Sequence, residues 1–167
     1  MALFLFQRDA DPKPVNYRPY HPDDLAALYA IEEICFQPPF RFPRRHMRRL
    51  LESPGTITWI ADEDGQMAGF AVADFEGETG GIVAYIQTIE VLPATRSRGI
   101  GSELLRRLED SAREGGAKSI WLHVDSENAG AVRLYEAHGY ACEGRHDRYY
   151  PQGRAALIYR KIVGAPI

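Results

Sequence analysis

The chain has 167 residues, with 20 Lys and Arg against 23 Asp and Glu, two cysteines and five histidines. That length predicts one domain with a sizeable core, and 45% hydrophobic with 26% charged residues is the composition of an ordinary soluble globular protein. A net charge of −3 argues against bulk attraction to nucleic acid or anionic membrane, and Cys35 and Cys142 form no CxxC pair that suggests a disulfide framework or a zinc site. The apolar start, Met1 to Phe6, stops at Gln7-Arg8-Asp9 and is too short for a signal sequence or a membrane span. At this level the expectation is a cytoplasmic enzyme or binding domain, with no membrane partner.

Residues 1–14 end in Asp11-Pro12-Lys13-Pro14 and read as a loosely attached leader to a domain over 15–167. A short strand is expected at 15–19, and Pro22-Asp23-Asp24 then opens a helix, because Pro suits a first turn and acids complement the positive dipole end. Leu25, Leu28, Ile31 and Cys35 recur at helical spacing, Gln37-Pro38-Pro39 breaks that helix, and Pro43 starts a second one to about Glu52. Strands follow at 56–61, 66–74 and 82–91, separated by turns at 62–65 and 77–81. From Gly99 to Glu114, Ile100, Leu104, Leu105, Leu108 and Ala112 mark one face of a helix, which Gly115-Gly116 ends. Ser119 to Val124 is a strand, Glu127 to His138 a helix, and two last strands flank Pro151-Gln152-Gly153. Strand–helix–strand over 82–124 predicts a right-handed crossover between parallel strands, whereas the short turns before it predict antiparallel pairing. The fold class is therefore α/β, a mixed (α+β) sheet in a single domain.

The most informative stretch runs Val91-Leu92-Pro93-Ala94-Thr95-Arg96-Ser97-Arg98-Gly99-Ile100-Gly101-Ser102. A strand end, a tight loop and a helix N-terminus arrive in that order, and the free N–H groups of a first helical turn attract anions. Gly99 and Gly101 let a pyrophosphate approach the backbone, and Arg96 and Arg98 can add charge-assisted bonds. A helix start where glycine merely suits packing is the competing reading. There is no GxxxxGK(S/T) and no full GxGxxG after the first strand, which disfavours nucleotide triphosphatases and dinucleotide enzymes.

Arg96-Ser97-Arg98-Gly99-Ile100-Gly101 resembles the acetyl-CoA motif of the GCN5-related N-acetyltransferase (GNAT) superfamily: Arg or Gln, two residues, Gly, one residue, then Gly or Ala. Asn128, Ala131-Val132-Arg133-Leu134-Tyr135-Glu136 and His138-Gly139-Tyr140 are similar to that family's second cofactor motif. Tyr149-Tyr150-Pro151 with Gly153-Arg154 resembles the RimI-like protein N-terminal acetyltransferases. The resemblance implies a central parallel strand pair that splays apart, with helices on both sides. It further implies acetyl-CoA as acyl donor, with no metal. Ile89 and Val91 would bond the pantetheine through their backbones, Ser97 through Ser102 would hold the pyrophosphate, Asn128 would bond the cofactor, and Tyr135 would lie beside its sulfur. Phe36, Pro38, Pro39 and Phe40, facing Tyr149 and Tyr150, would wall the acceptor site.

Acetyl transfer to an amine needs a neutral amine, a donor to the developing oxyanion and a proton for the departing thiolate. A peptide α-amine with a pKa near ~8 is neutral to roughly a tenth at pH 7, whereas a lysine amine near ~10.4 is neutral to only a few parts in ~10,000. A weak base therefore suffices for an N-terminus. His123 can accept a proton near physiological pH and Tyr85 can position a water, while Tyr135 is the natural general acid. A glutamate takes the place of His123 in the bacterial ribosomal-protein alanine acetyltransferases; His with Tyr85 resembles a eukaryotic and archaeal type. Each has a plainer rival: a satisfied core histidine, a core tyrosine, and for Tyr149-Tyr150 a hairpin's aromatic pair. Strand alternation sets Glu90 on the face opposite Tyr85, Gln87 and Ile89. His138 closes a helix, Cys142 reads as core, and His21, His46 and His146 join no constellation. Arg41, Arg44, Arg45, Arg48 and Arg49 read as a solvated face or as a rim that attracts acidic partners.

The leading expectation is N-acetylation of a protein or peptide N-terminal α-amine by direct attack in a ternary complex. The alternatives are transfer to a small amine, an antibiotic or a lysine side chain, and a non-catalytic acyl-CoA sensor.

Overall fold

Tyr17 pairs with Ala61 in an antiparallel ladder that ties the first strand, β1 (Val15–Pro19), to β2 (Thr56–Glu63). Residues 13–164 are described by the computed structural model, so the leader expected over 1–14 falls almost wholly outside the described residues. Between β1 and β2 lie α1 (Leu25–Cys35) and α2 (Arg44–Leu51). His21 caps the turn that enters α1, its side chain accepting from Asp23 N–H while Asp24 answers back, a reciprocal box that no pattern of histidines predicted. The chain continues through β3 (Gln66–Glu78), β4 (Gly81–Val91), α3 (Ile100–Glu114), β5 (Ser119–Asp125), α4 (Ala129–Ala137), β6 (Ala141–His146) and β7 (Ala156–Ile162). The β3–β4 hairpin is longer than its turn residues suggested, because Phe75 to Glu78 continue the ladder against Gly81 to Ala84.

The sheet order is β1-β2-β3-β4-β5-β7-β6, and among the described residues only β4 and β5 pair in parallel. One face carries α3, whose Ile100, Leu104, Leu105, Leu108 and Ala112 bury against Ala71, Ala73, Ala84, Ile86, Ile120 and Leu122. The other carries α1 and α2, where Leu28, Ile31, Met47 and Leu51 cover Ile60, Phe70 and Val72. Each of these large side chains gains about 1.5–3 kcal/mol from leaving water, so the two clusters fix the sheet between its helical layers. No described helix is long and apolar enough to cross a membrane.

Two departures from regularity make the site. β4 and β5 pair only from Val83–Ser119 to Tyr85–Trp121, and beyond Tyr85 they separate. On its other edge β4 carries a bulge: Val72 faces Thr88 but Ala73 faces Ile86, so Gln87 is the extra residue. The bulge inverts alternation from that point. Tyr85, Thr88 and Glu90 share the face of α1, while Ile89 joins Ile86 against α3. The expectation that Glu90 faces away from Tyr85 is therefore corrected: an uninterrupted two-residue period holds only up to Gln87.

Candidate active site

The separation of β4 from β5 opens a cleft of about 620 Å³ that reaches from Phe36 and Ile89 to the start of α3. At that start Ser97 and Gly99 adopt left-handed backbone, with φ of 62° and 82°. Among the described residues no side chain caps the helix, and its first internal bond runs from Glu103 N–H to Gly99 C=O at 3.0 Å. The N–H groups of Ile100, Gly101 and Ser102 are thus left without intrahelical acceptors on the wall of the cleft. A Cβ at Gly99 would meet no atom within 4 Å, so the space before this turn is open. At Gly101 it would make ordinary 3.8 Å contacts with Leu134 and Val91. Free donors, a helix dipole and open space fit a phosphate-bearing ligand.

The two loop arginines are engaged within the chain. Arg96 Nε donates to the Val91 carbonyl at 2.9 Å, with the Cys35 sulfur 3.7 Å from its other end, and Arg98 pairs with Glu63 at 2.7 Å. Asn128 caps α4, its Oδ1 accepting from Ala131 N–H at 3.1 Å, which leaves its amide donors beside the cleft. Tyr135 is 6% exposed, packs edge-on against Tyr140 and lines the same cleft. Burial, reinforced by Tyr150, raises its pKa well above that of an ordinary phenol. It holds its proton throughout the physiological range.

On the opposite side of the separated strands, Tyr85 Oη lies 2.9 Å from His123 Nδ1. Tyr149 stacks flat on the His123 ring, centroids 4.4 Å apart and planes 4° from parallel. Trp121 stands edge-on to Tyr85 at 4.7 Å. Burial is the main reason that the Tyr85 pKa is raised, with Tyr149 adding to it, so Tyr85 stays a neutral phenol. Burial also depresses the His123 pKa, and His146 adds to that effect. A half-buried imidazole that prefers to be neutral, anchored through one nitrogen, is competent to take a proton.

The loop from α1 to α2 closes this side. Arg41 Nε donates to Phe36 C=O at 3.0 Å, and its Nη2 reaches Glu33 C=O at the same distance. Tyr29 Oη donates to Phe42 C=O at 2.8 Å, and Phe42 N–H donates to Glu32 Oε1 at 2.7 Å. These bonds set Phe40 toward Tyr150, ring centroids 6.4 Å apart, with the Pro38–Pro39 corner before it. Arg154 caps Phe40 at 4.8 Å and is held by Asp125 and Glu127. Arg41 is thus a loop brace and not part of a free basic face; Arg44 lies over Tyr29 and Arg48 pairs with Glu52.

Two residues of this region, Trp121 and Glu32, were not singled out in the sequence, and two that were, Glu90 and His146, were read without their partners. Trp121, two positions before His123 on the same face of β5, was open to simple alternation. Among the described residues the buried Trp121 Nε1 donor has no partner. His146 was not, because only the β6–β7 pairing brings it 6.5 Å from His123. Glu90 was hidden by the bulge, and Glu32 by its packing against β4, far away in sequence. Both are buried, at 0% and 3% exposure, and Glu90 reaches the cleft wall. Burial, then the Glu32 carboxyl against it, push the Glu90 pKa far up.

Comparison with known proteins agrees with this arrangement. The profile of the acetyltransferase (GNAT) family matches residues 25–140. The chain is 32% identical over 158 residues to N-alpha-acetyltransferase RimI of Mycobacterium tuberculosis, covering 94% of this chain and 98% of that protein. It is 31% identical over 149 residues to the ribosomal protein bS18-alanine N-acetyltransferase of Escherichia coli, covering 86% and 92%. It is also 40% identical over 106 residues to streptothricin acetyltransferase of Streptomyces lavendulae, which covers 63% of this chain and only 54% of that protein. In fold it matches the crystal structure of the ribosomal-protein-S18-alanine N-acetyltransferase of Escherichia coli with a TM-score of 0.80 at 24% identity, over 92% and 97% of the two chains. Arabidopsis thaliana NAA60, solved with a bisubstrate analogue, matches with a TM-score of 0.78 at 24% identity, over 89% and 98%. With its separated parallel strands, its uncapped α3 and its buried tyrosine, the chain belongs to the GNAT family, is RimI-like, and is an acyltransferase.

Proposed function

We propose that the protein transfers an acetyl group from acetyl-CoA to the free α-amine of a peptide or protein. The observation that carries this reading is the 2.9 Å Tyr85–His123 pair covered by Tyr149 where β4 and β5 part. When bound, acetyl-CoA supplies the activated thioester carbonyl. The α3 amides of Ile100, Gly101 and Ser102 suit its pyrophosphate, with Ser97, Gly99 and the loop arginines around it. The free edge of β4 near Ile89 and Val91, together with the Asn128 amide, suits the pantetheine.

His123 in its Nδ1–H tautomer donates to the Tyr85 oxygen, and the lone pair on Nε2 takes a proton from the incoming amine. Tyr85, a neutral phenol, keeps the imidazole in that orientation. Tyr135 donates its phenolic proton to the departing sulfur and recovers one afterwards. Phe36, Pro38, Pro39 and Phe40 on one side and Tyr149 and Tyr150 on the other exclude water and guide an extended chain end. An α-amine needs only weak base assistance near neutral pH, which matches a histidine whose pKa is lowered.

A small cationic amine is the second reading. The identity to streptothricin acetyltransferase favours it, as do Asp74, Glu76 and Glu78, which follow the register of β3 along the face of Tyr85. Acetyl-CoA with a library of peptides bearing free N-termini, matched N-blocked lysine peptides and a panel of small amines separates the two, with mass spectrometry locating the acetyl group. Acetylation confined to free α-amines is expected. Product only on lysines or small amines would replace the N-terminal reading.

A further inference from the structure

His146 is the last residue of β6, pairs with Ala156 of β7 and is exposed to solvent. Its ring centroid is 6.5 Å from that of His123 and 5.1 Å from that of Tyr149. His123 is enclosed on its other sides: Tyr149 covers one face of the ring, Trp121 stands 5.5 Å away, and Nδ1 is held by Tyr85. Among these neighbours only His146 is both an imidazole, able to take up and release a proton, and exposed to bulk water.

The stoichiometry of the reaction makes an outlet necessary. An ammonium and a thioester become an amide, a thiol and one free proton. The N–C bond forms as the C–S bond breaks, two protons leave the nitrogen, one ends on sulfur, and the other must reach solvent. We propose that His146 is the group through which His123 returns that proton to bulk water between turnovers, by way of one bridging water. With the ring centroids 6.5 Å apart, a single water that donates to one ring nitrogen and accepts from the other can bridge the two imidazoles. His146 acts through His123 and is a positioning residue for the proton. The inference rests on the assignment of His123 as the base.

The groups around the pair leave the relay electrostatically simple. Burial raises the pKa values of Tyr85 on β4 and Tyr150 in the β6–β7 loop, so both hold their protons, and Trp121 on β5 carries no charge. The flanking Arg145 and Asp147 neutralise each other at 2.7 Å. His146 accepts the proton as a neutral imidazole and passes it to solvent before the next turnover.

The test compares His146→Gln, His146→Ala and His123→Gln by turnover of the best acceptor in dilute and imidazole-containing buffer, and by NMR titration of the histidine rings. In dilute buffer both His146 variants are expected to lose roughly fivefold or more in kcat with KM unchanged. Added imidazole restores the rate, and the His123 midpoint moves up once His146 no longer lowers it. Unchanged kcat in dilute buffer, or a loss that imidazole does not restore, would overturn the relay. Full turnover in His123→Gln would instead remove the base assignment on which the relay stands.

Discussion

Glu90 and Glu32 present their carboxyl groups to each other across the interface of β4 and α1, and neither Oε2 has a donor from elsewhere in the described residues. Their remaining oxygens are served, Glu90 Oε1 by Thr88 at 2.9 Å and Glu32 Oε1 by the Phe42 amide at 2.7 Å. Two such carboxyls cannot both ionise without water, so the pair retains a proton on Glu90. An unfolded chain gives that proton up near its ordinary value of 4.5. Above that pH the folded chain binds one proton more than the unfolded chain, and stability falls as pH rises toward the elevated folded value. Glu90→Gln, whose amide can donate to Glu32, is expected to flatten this dependence and raise the melting temperature at alkaline pH. Melting curves of both proteins between about pH 5 and pH 9 decide it; parallel curves would mean that the pair is ionised.

For His123 the direction is reversed, since its folded pKa lies below the ordinary 6.5. The acid limb of kcat, which reports the bound complex, should fall below pH 6.5, and the curve should be level near neutrality. With a peptide acceptor, kcat/KM should show a second rise near pH ~8 as the α-amine itself deprotonates. His123→Gln should abolish the lower step and spare the upper one. A lower step that survives belongs to another group.

Tyr135→Phe keeps the ring against Tyr140 and removes only the hydroxyl. We expect kcat to drop about 10- to 100-fold while the affinity for acetyl-CoA changes less than about twofold. Isothermal titration beside steady-state rates measures both, and equal losses in the two would identify a binding role instead.

Gly99→Ala places a methyl in open space before α3, on a residue with φ of 82°. Left-handed backbone costs a Cβ-bearing residue about 1–2 kcal/mol, and the methyl points where a pyrophosphate would approach. The expected result is a rise of about tenfold or more in the acetyl-CoA Kd, with acceptor KM and far-UV circular dichroism little changed. Unaltered affinity would move the phosphate site away from this turn.

Arg41→Ala removes the two bonds that tie the start of the acceptor loop to Phe36 and Glu33. Acceptor KM should rise several-fold with acetyl-CoA binding intact, because the brace lies on the acceptor side only. A matching loss of acetyl-CoA affinity would show that the loop shapes both sides.

Much of this was legible in the chain itself, and what was not has a common cause. The Leu28–Ile31 and Leu104–Leu108 stripes, the Gly115 stop and the Pro38-Pro39 break are local signals, and each element appears within a few residues of its expected place. The anion-attracting turn was equally local, since strand end, glycines and helix start are contiguous. His146, Glu32 and the brace by Arg41 depend on contacts between residues far apart in sequence, which no period encodes. Arg96 and Arg98 show the converse: their charge fits a phosphate, yet in the fold Val91 C=O and Glu63 hold them.

The extra residue at Gln87 acts on β4 as an inserted base acts on a reading frame. Every side chain from Thr88 to Val91 occupies the face that its neighbour would hold in an unbroken strand, while residues up to Ile86 stay in phase. Deleting Gln87 would restore unbroken alternation and leave Ile89 against α3 and Glu90 toward α1, so an unbulged strand one residue shorter keeps the same faces. Comparisons of this strand among relatives therefore need two separate alignments, one on each side of the bulge. A single gap placed elsewhere would match Tyr85 or Glu90 to residues that face the opposite layer.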